Sequence, residues 1–317
     1  MLANDAEAYI AARITRDPSP ANEITTAVAK VYSNSGRIEK FSFRNTFARR
    51  PAVPIAAIQY DESKLRAVAA KIQMPANWRH WLWERSPKRP ETQNAMSFLA
   101  HLYQPGENIL AFDAMKAKSP RWNIRVEDPM NCRTPETMRN GGNGAGIWFL
   151  CNPTDGQWHL NPRQKNRPSC RSEESVTQFR YAVLESDVAP ADLWLAFVSQ
   201  IPARIAAIYS SGGRSIHTLI RIDADSKSAW DVQIAPLKRP LRVLGGDAGC
   251  LSAVRLSRLP GCARPDKNDF QKLLYLAPNP PLARLIDLPV IRRRAEMKLR
   301  WMELCPRWNP AQESYDN

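Results

Sequence analysis

Between residues 179 and 276 the apolar and polar positions switch between a period of two and a helical period, and together with one tight turn these switches mark six predicted elements. Tyr181 to Asp187 has strand-like content, and a period of two puts Glu185 and Asp187 on one face. Pro190 suits the first turn of a helix in which Leu193, Trp194, Phe197 and Val198 recur at helical spacing, closed by Pro202. Ile205 to Tyr209 reads as a second strand, Ser211 to Arg214 as a tight turn, and Ser215 to Ile222 as a third strand. On that strand Ser215 and His217 face one side, and Ile216, Thr218 and Ile220 the other. A second helix follows, with Asp225 as N-cap and Ala229, Trp230, Val232 and Ile234 before Pro236. The last strand lies at Val254 to Leu259 or at Lys272 to Leu276. This order, β-α-β-β-α-β, is the ferredoxin-like or RRM-like arrangement, with strands one and three side by side at the sheet centre. Glu185, Asp187 and His217 are then expected to share the sheet face that the helices leave open.

Upstream, Asp5 to Ile14 and Asn22 to Tyr32 read as helices. Residues 33–51 are basic with Phe41, Phe43 and Phe47 interleaved, a composition that suits a single-strand-binding surface; the strand spacing of Phe41 and Phe43 favours a core strand. Leu65 to Ile72 is amphipathic, Trp78 and Trp81 pack at i and i+3, Ala95 to Leu102 is helical, and Ile109 to Phe112 and Trp148 to Leu150 are strands. Residues 114–143 are loop-rich and positive, and Gly141 to Gly146 lacks the phosphate-loop pattern. A proline-rich linker and a basic helix, Val290 to Cys305, follow residue 280. The predicted units are residues 1–90, a basic helical region; 91–178, an α/β module; 179–280, the β-α-β-β-α-β palm; and 281–317, the tail.

Composition narrows the partners. Lys and Arg exceed Asp and Glu by 45 to 31 in 317 residues, a net charge of +14, which points to a polyanion such as nucleic acid. No apolar run approaches the roughly 20 residues of a membrane span, and Met1 to Ile14 carries charges where a signal peptide is apolar, so a cytoplasmic, nucleoid-associated protein is expected. Six cysteines are scattered without a Cys-x-x-Cys pair, so no structural zinc is expected.

Paired carboxylates are hard oxygen ligands for Mg²⁺ or Mn²⁺, and two such ions clamp the attacking and leaving oxygens of a phosphoryl transfer. His217, Arg214 and the Gly212-Gly213 turn supply groups for a nucleotide triphosphate. Three segments carry a family resemblance: Glu185-Ser186-Asp187, Ser211-Gly212-Gly213-Arg214-Ser215-Ile216-His217, and Arg255-Leu256-Ser257-Arg258-Leu259-Pro260-Gly261. In this order, after Gly144 to Pro153, they resemble the motifs of the archaeo-eukaryotic primase superfamily, in particular its primase-polymerase branch of plasmids, phages and other mobile elements.

The resemblance spans roughly residues 90–290. It implies an α/β (α+β) catalytic core that makes or extends primers on single-stranded DNA from NTP or dNTP, alongside a separate helicase or replication initiator. It also implies a two-metal site of Mg²⁺ or Mn²⁺ on Glu185 and Asp187, with Asp247 as third carboxylate ahead of Asp223 and Asp266. Catalysis falls to Glu185, Asp187 and His217; the nucleotide to Ser211, Gly213, Arg214, Ser215, His217 and Arg258; the template to Arg167 and Arg171. The family has aspartate–hydrophobic–aspartate where this chain has Glu185-Ser186-Asp187, a longer first arm. Two other classes fit the same elements: an RRM-like binding module, which needs aromatics where this chain has acids, and a metal-dependent nuclease or replication initiator.

Overall fold

A computed structural model describes residues 58–70, 77–88, 94–126, 133–201, 203–281 and 285; the helices expected at 5–14, 22–32 and 290–305 and the basic aromatic stretch 33–51 lie outside the described residues. Three helices come first: α1 (Glu62–Ala69), α2 (Trp78–Arg85) and α3 (Ala95–Leu102), capped by the side chains of Asp61, Asn77 and Asn94. Then come β1 (Asn108–Phe112), β2 (Trp122–Arg125), the short α4 (Glu136–Arg139) and β3 (Trp148–Leu150). A hairpin of β4 (His159–Asn161) and β5 (Arg167–Ser169) leads to the palm elements β6 (Phe179–Glu185), α5 (Ala191–Gln200), β7 (Ile205–Ser210), β8 (Ile216–Ala224) and α6 (Lys227–Val243). Four strands close the described chain: β9 (Leu256–Arg258), β10 (Ala263–Arg264), β11 (Asp269–Phe270) and β12 (Leu273–Leu276).

The palm has the expected element order but not the expected sheet. Its strands run β12-β7-β8-β6, all antiparallel, so strands one and three do pair, with Glu185 opposite His217. However, β6 lies at the edge, and the fourth strand joins β7 instead of β6. The cause is the loop after α6: Asp247 N–H donates to the Glu185 carbonyl at 3.0 Å, and Ser186 Oγ donates to the Gly245 carbonyl at 2.6 Å. That loop takes up the edge a fourth strand would need. Both proposed last strands exist, and they separate: Leu273–Leu276 completes the palm, whereas Leu256–Arg258 pairs with β3 in a second sheet, β2-β1-β3-β9.

The expected open face of the palm is also closed. One face packs α5, α6, α1 and α2 through Leu184, Ile220, Trp194, Trp230, Leu65 and Leu82. On the other, Tyr181, Val183, Tyr209 and Leu219 pack against α3, β1 and β3. Near-continuous apolar runs in β6 and β7 are what a sheet buried on both sides requires. Each fully buried large apolar side chain contributes about 1.5–3 kcal/mol, so this double packing dominates the fold's stability. Asn152 couples the layers: its amide donates to the Tyr181 and Ala253 carbonyls at 2.9 and 3.0 Å.

The second palm helix also differs from expectation. Ser226, not Asp225, caps it, accepting from Ala229 N–H at 3.1 Å. It continues through Pro236 and Pro240 to Val243, because Trp230, Ile234, Leu237 and Leu241 form a buried stripe whose packing outweighs the lost backbone bonds.

Candidate nucleotide-binding cleft

A cleft of about 470 Å³ opens where the ends of β6, β7 and β8 meet β9. Eight of the predicted positions line it together: Glu185, Asp187, Ser211, Gly213, Arg214, Ser215 and His217, with Arg258 from β9. Arg167, Arg171 and Asp247 are outside its lining.

The two acidic residues reach the cleft differently from what strand alternation predicts. β6 ends at Glu185, which is buried, and Asp187 sits beyond it in an exposed turn. Ser186 makes that turn: its hydroxyl accepts from Val188 and Ala189 N–H at 3.3 and 2.9 Å, a local bond that competes with the strand ladder. Asp187 Oδ1 accepts from Ser215 Oγ at 2.8 Å, and Arg214 donates to the Asp187 carbonyl, so the 211–215 turn and the Asp187 turn hold each other. Arg264 fixes the former, donating to the Ser211 carbonyl at 3.1 Å. Gly212 has a φ of 67°, and Gly213 lies so close that an added Cβ would meet Arg264 Nη1 at 3.0 Å.

His217 forms the buried end of the cleft. Its Nδ1 is 2.9 Å from Glu185 Oε2 and 2.9 Å from Ser257 Oγ, which itself lies 2.7 Å from the Tyr209 hydroxyl; the Tyr209 ring stacks on the imidazole. The carboxylate can only accept, so Nδ1 carries the proton and Nε2 is left for a ligand. Burial, with Arg258 and Arg264 nearby, lowers the His217 pKa to about 3 against the opposing pull of Asp187. Above its ordinary value of 6.5 the ring is neutral folded and unfolded; below it the unfolded chain takes up a proton that the folded chain refuses. Stability from this group is therefore complete above pH 6.5 and falls as pH drops toward 3. His217→Asn is expected to reduce the difference in melting temperature between pH 7 and pH 5, measured by thermal denaturation; an undiminished difference would assign the acid sensitivity elsewhere.

Arg255, which opens the third motif, is central to the site although the motif implies no role for it. Its guanidinium contacts Glu185 Oε1 and, at 3.0 Å, Asp247 Oδ2, bridging the first and third expected metal ligands. Asp247 Oδ1 meanwhile accepts from Gly249 N–H at 2.8 Å. The carboxylates so arranged do not fit a two-cation site: Arg255 stands between two of them, and no three His, Cys, Asp or Glu residues among the described residues gather to hold a metal.

On the β9 side Arg258 lies over the Trp148 ring at 3.7 Å and donates to the Ala145 carbonyl. Burial and neighbouring Arg264 lower its pKa to about 10, so it stays charged at neutral pH. Met115, Leu256 and Lys267 complete the walls. Arg171, expected at the template, is half-buried, donating to the Met115 carbonyl at 2.9 Å and lying over Phe112, so it braces the cleft rim; Arg167 is exposed. Asp223 and Asp266 pair with Arg221 and Arg264. Tyr181 is buried with its hydroxyl on the Leu102 carbonyl, a packing residue. Arg255, Arg264, Lys267, Tyr209, Ser257 and Trp148 went unassigned in the sequence because the fold, not spacing, brings them here. The repeated arginines of Arg255 to Arg264 were the one available signal.

These features define an α+β protein of antiparallel sheets with a strongly cationic cleft between them. The chain is distantly similar to the solved AEP domain of the cyanophage S-2L primase-polymerase, at 16% identity and a TM-score of 0.37, over 61% of this chain and 94% of that one. No family model and no curated protein matches it. Among the described residues no helix is long and apolar enough to cross a membrane.

Proposed function

We propose that the protein is a template-dependent nucleotidyltransferase of primase or primase-polymerase type, with its nucleotide bound in this cleft. One observation carries the reading: Arg214, Arg255, Arg258, Arg264 and Lys267 converge with His217 on a cleft that holds only Glu185 and Asp187 as acids. Such crowding of like charge is relieved by a polyanionic ligand, and a triphosphate matches it in size and charge. The Ser211–Ser215 turn holds the phosphate tail through Arg214 and its hydroxyls, Trp148 and Leu256 offer apolar surface to a base, and neutral His217 presents Nε2 as an acceptor. The template is single-stranded DNA, and the substrates are NTP or dNTP. Incubation with single-stranded template, labelled nucleotides and Mg²⁺ or Mn²⁺, with and without primer, tests this; absence of any extended product in all combinations would overturn it.

Arg214→Ala is expected to raise the nucleotide concentration for half-maximal rate about tenfold or more, since a charge-assisted phosphate contact contributes roughly 1.5–3 kcal/mol. An unchanged nucleotide dependence with weaker template binding would move Arg214 to the template. A second reading, nucleotide binding without chemistry, is favoured by the Arg255 bridge, which leaves Glu185 and Asp247 already neutralised. Nucleotide binding in equilibrium dialysis without incorporation would select it.

A further inference from the structure

The hairpin of β4 and β5 carries an apolar face that nothing in the described fold covers. Trp158 and Leu160, two residues apart, are 50% and 61% exposed, and Leu160 pairs with Pro168 across the ladder, so three apolar side chains share one side. The opposite side is engaged: His159 contacts Asp155 at 2.7 Å and Asn161 is buried. The hairpin is firmly rooted, with Ser172 Oγ donating to the Leu160 carbonyl and the Asn161 amide to the Arg171 carbonyl, both at 3.1 Å. At its tip Lys165 and Asn166 are both left-handed, and Asn166 N–H closes back on the Asn161 carbonyl at 3.0 Å. Exposed Lys165 and Arg167 flank the face, and neither has a carboxylate partner among the described residues. Of the acids at the root, Asp155 contacts His159 and Glu173 contacts Lys227, while Glu174 is exposed.

We propose that this face is a stacking platform for single-stranded nucleic acid, with a base on Trp158, apolar support from Leu160 and Pro168, and phosphates on Lys165 and Arg167. An aromatic surface rimmed by unpaired cations suits a strand whose bases and phosphates alternate, whereas a second copy of this positive chain would meet repulsion. The position is apt: Arg171, next to the hairpin, bonds the carbonyl of Met115, which lines the cleft. The platform rests on the proposed template-dependent function and names where the strand lies as it reaches the cleft.

Fluorescence anisotropy of the whole chain with labelled oligothymidylate and oligouridylate, at several salt concentrations, tests it. Trp158→Ala is expected to weaken binding roughly tenfold without changing the salt slope, and Trp158→Phe to retain most of the affinity. Lys165→Gln with Arg167→Gln should flatten the slope of log affinity against log salt by about 1.4. Melting temperatures should match the parent's, since these side chains are exposed. Unchanged affinity of Trp158→Ala in a protein that still adds nucleotides overturns the platform alone. No affinity of the parent protein for either strand overturns the platform and the template-dependent reading together. Altered sedimentation of Trp158→Ala with intact strand binding would make the face a self-association surface and also overturn it.

Discussion

Asp187→Ala is expected to abolish nucleotide addition on a primed single strand while leaving the melting temperature unchanged. Asp187 is exposed, and of its two described contacts the one from Arg214 goes to its carbonyl, which the substitution keeps. Its carboxylate is thus the acidic group of the cleft whose removal does not disturb the core. Glu185→Ala should do something different. Glu185 is 4% exposed and contacts Arg255 and His217 at once. Taking one partner from a buried ion pair costs about 3–5 kcal/mol, a large part of the roughly 5–15 kcal/mol that holds a domain together. Thermal denaturation beside incorporation assays separates the two. Near-normal incorporation by Asp187→Ala would remove that residue from the chemistry, and equal melting losses in both variants would contradict the contrast in burial.

Arg255→Met is expected to destabilise the protein by about 3–5 kcal/mol at pH 7, because it leaves Glu185 facing Asp247 with no cation between them. Mn²⁺ should then raise the melting temperature of the variant more than that of the parent, in which the guanidinium already holds that place. The readout is thermal and independent of turnover. Equal Mn²⁺ responses would show that the pair does not bind a cation when Arg255 is gone, and a variant as stable as its parent would show that the bridge contributes nothing.

Local order in the chain was enough to bring Glu185, Asp187, His217 and the 211–215 turn together, but not the arginines that face them. Glu185 and His217 stand opposite because a strand, a helix crossover and a hairpin leave few other pairings, and the Gly-Gly turn brings Ser211 to Ser215 to the same end. The edge position of β6 was not legible, since it depends on a loop sixty residues later whose Asp247 N–H reaches the Glu185 carbonyl. Nor was the assignment of Leu256–Arg258 to the second sheet, as a three-residue Leu-Ser-Arg strand is too short for its period to name a partner. Ser186 did carry a legible sign: a small hydroxyl residue after a strand favours a turn, and weighing it against the period of two would have ended β6 at Glu185. The prolines of α6 misled because composition could not report the packing of Trp230 and Leu237.

The assignment of β9 to the second sheet has a consequence for modularity. The residues numbered 179–280 are contiguous in sequence, yet Arg258 is delivered by a strand hydrogen-bonded to Trp148, and Tyr181, Val183, Tyr209 and Leu219 are covered by α3, β1 and β3. A fragment starting at residue 179 would lose one wall of its cleft and uncover that whole apolar face. Residues 179–280 are therefore not a portable cassette: engineering that moves them must carry the covering elements α3, β1 and β3 along.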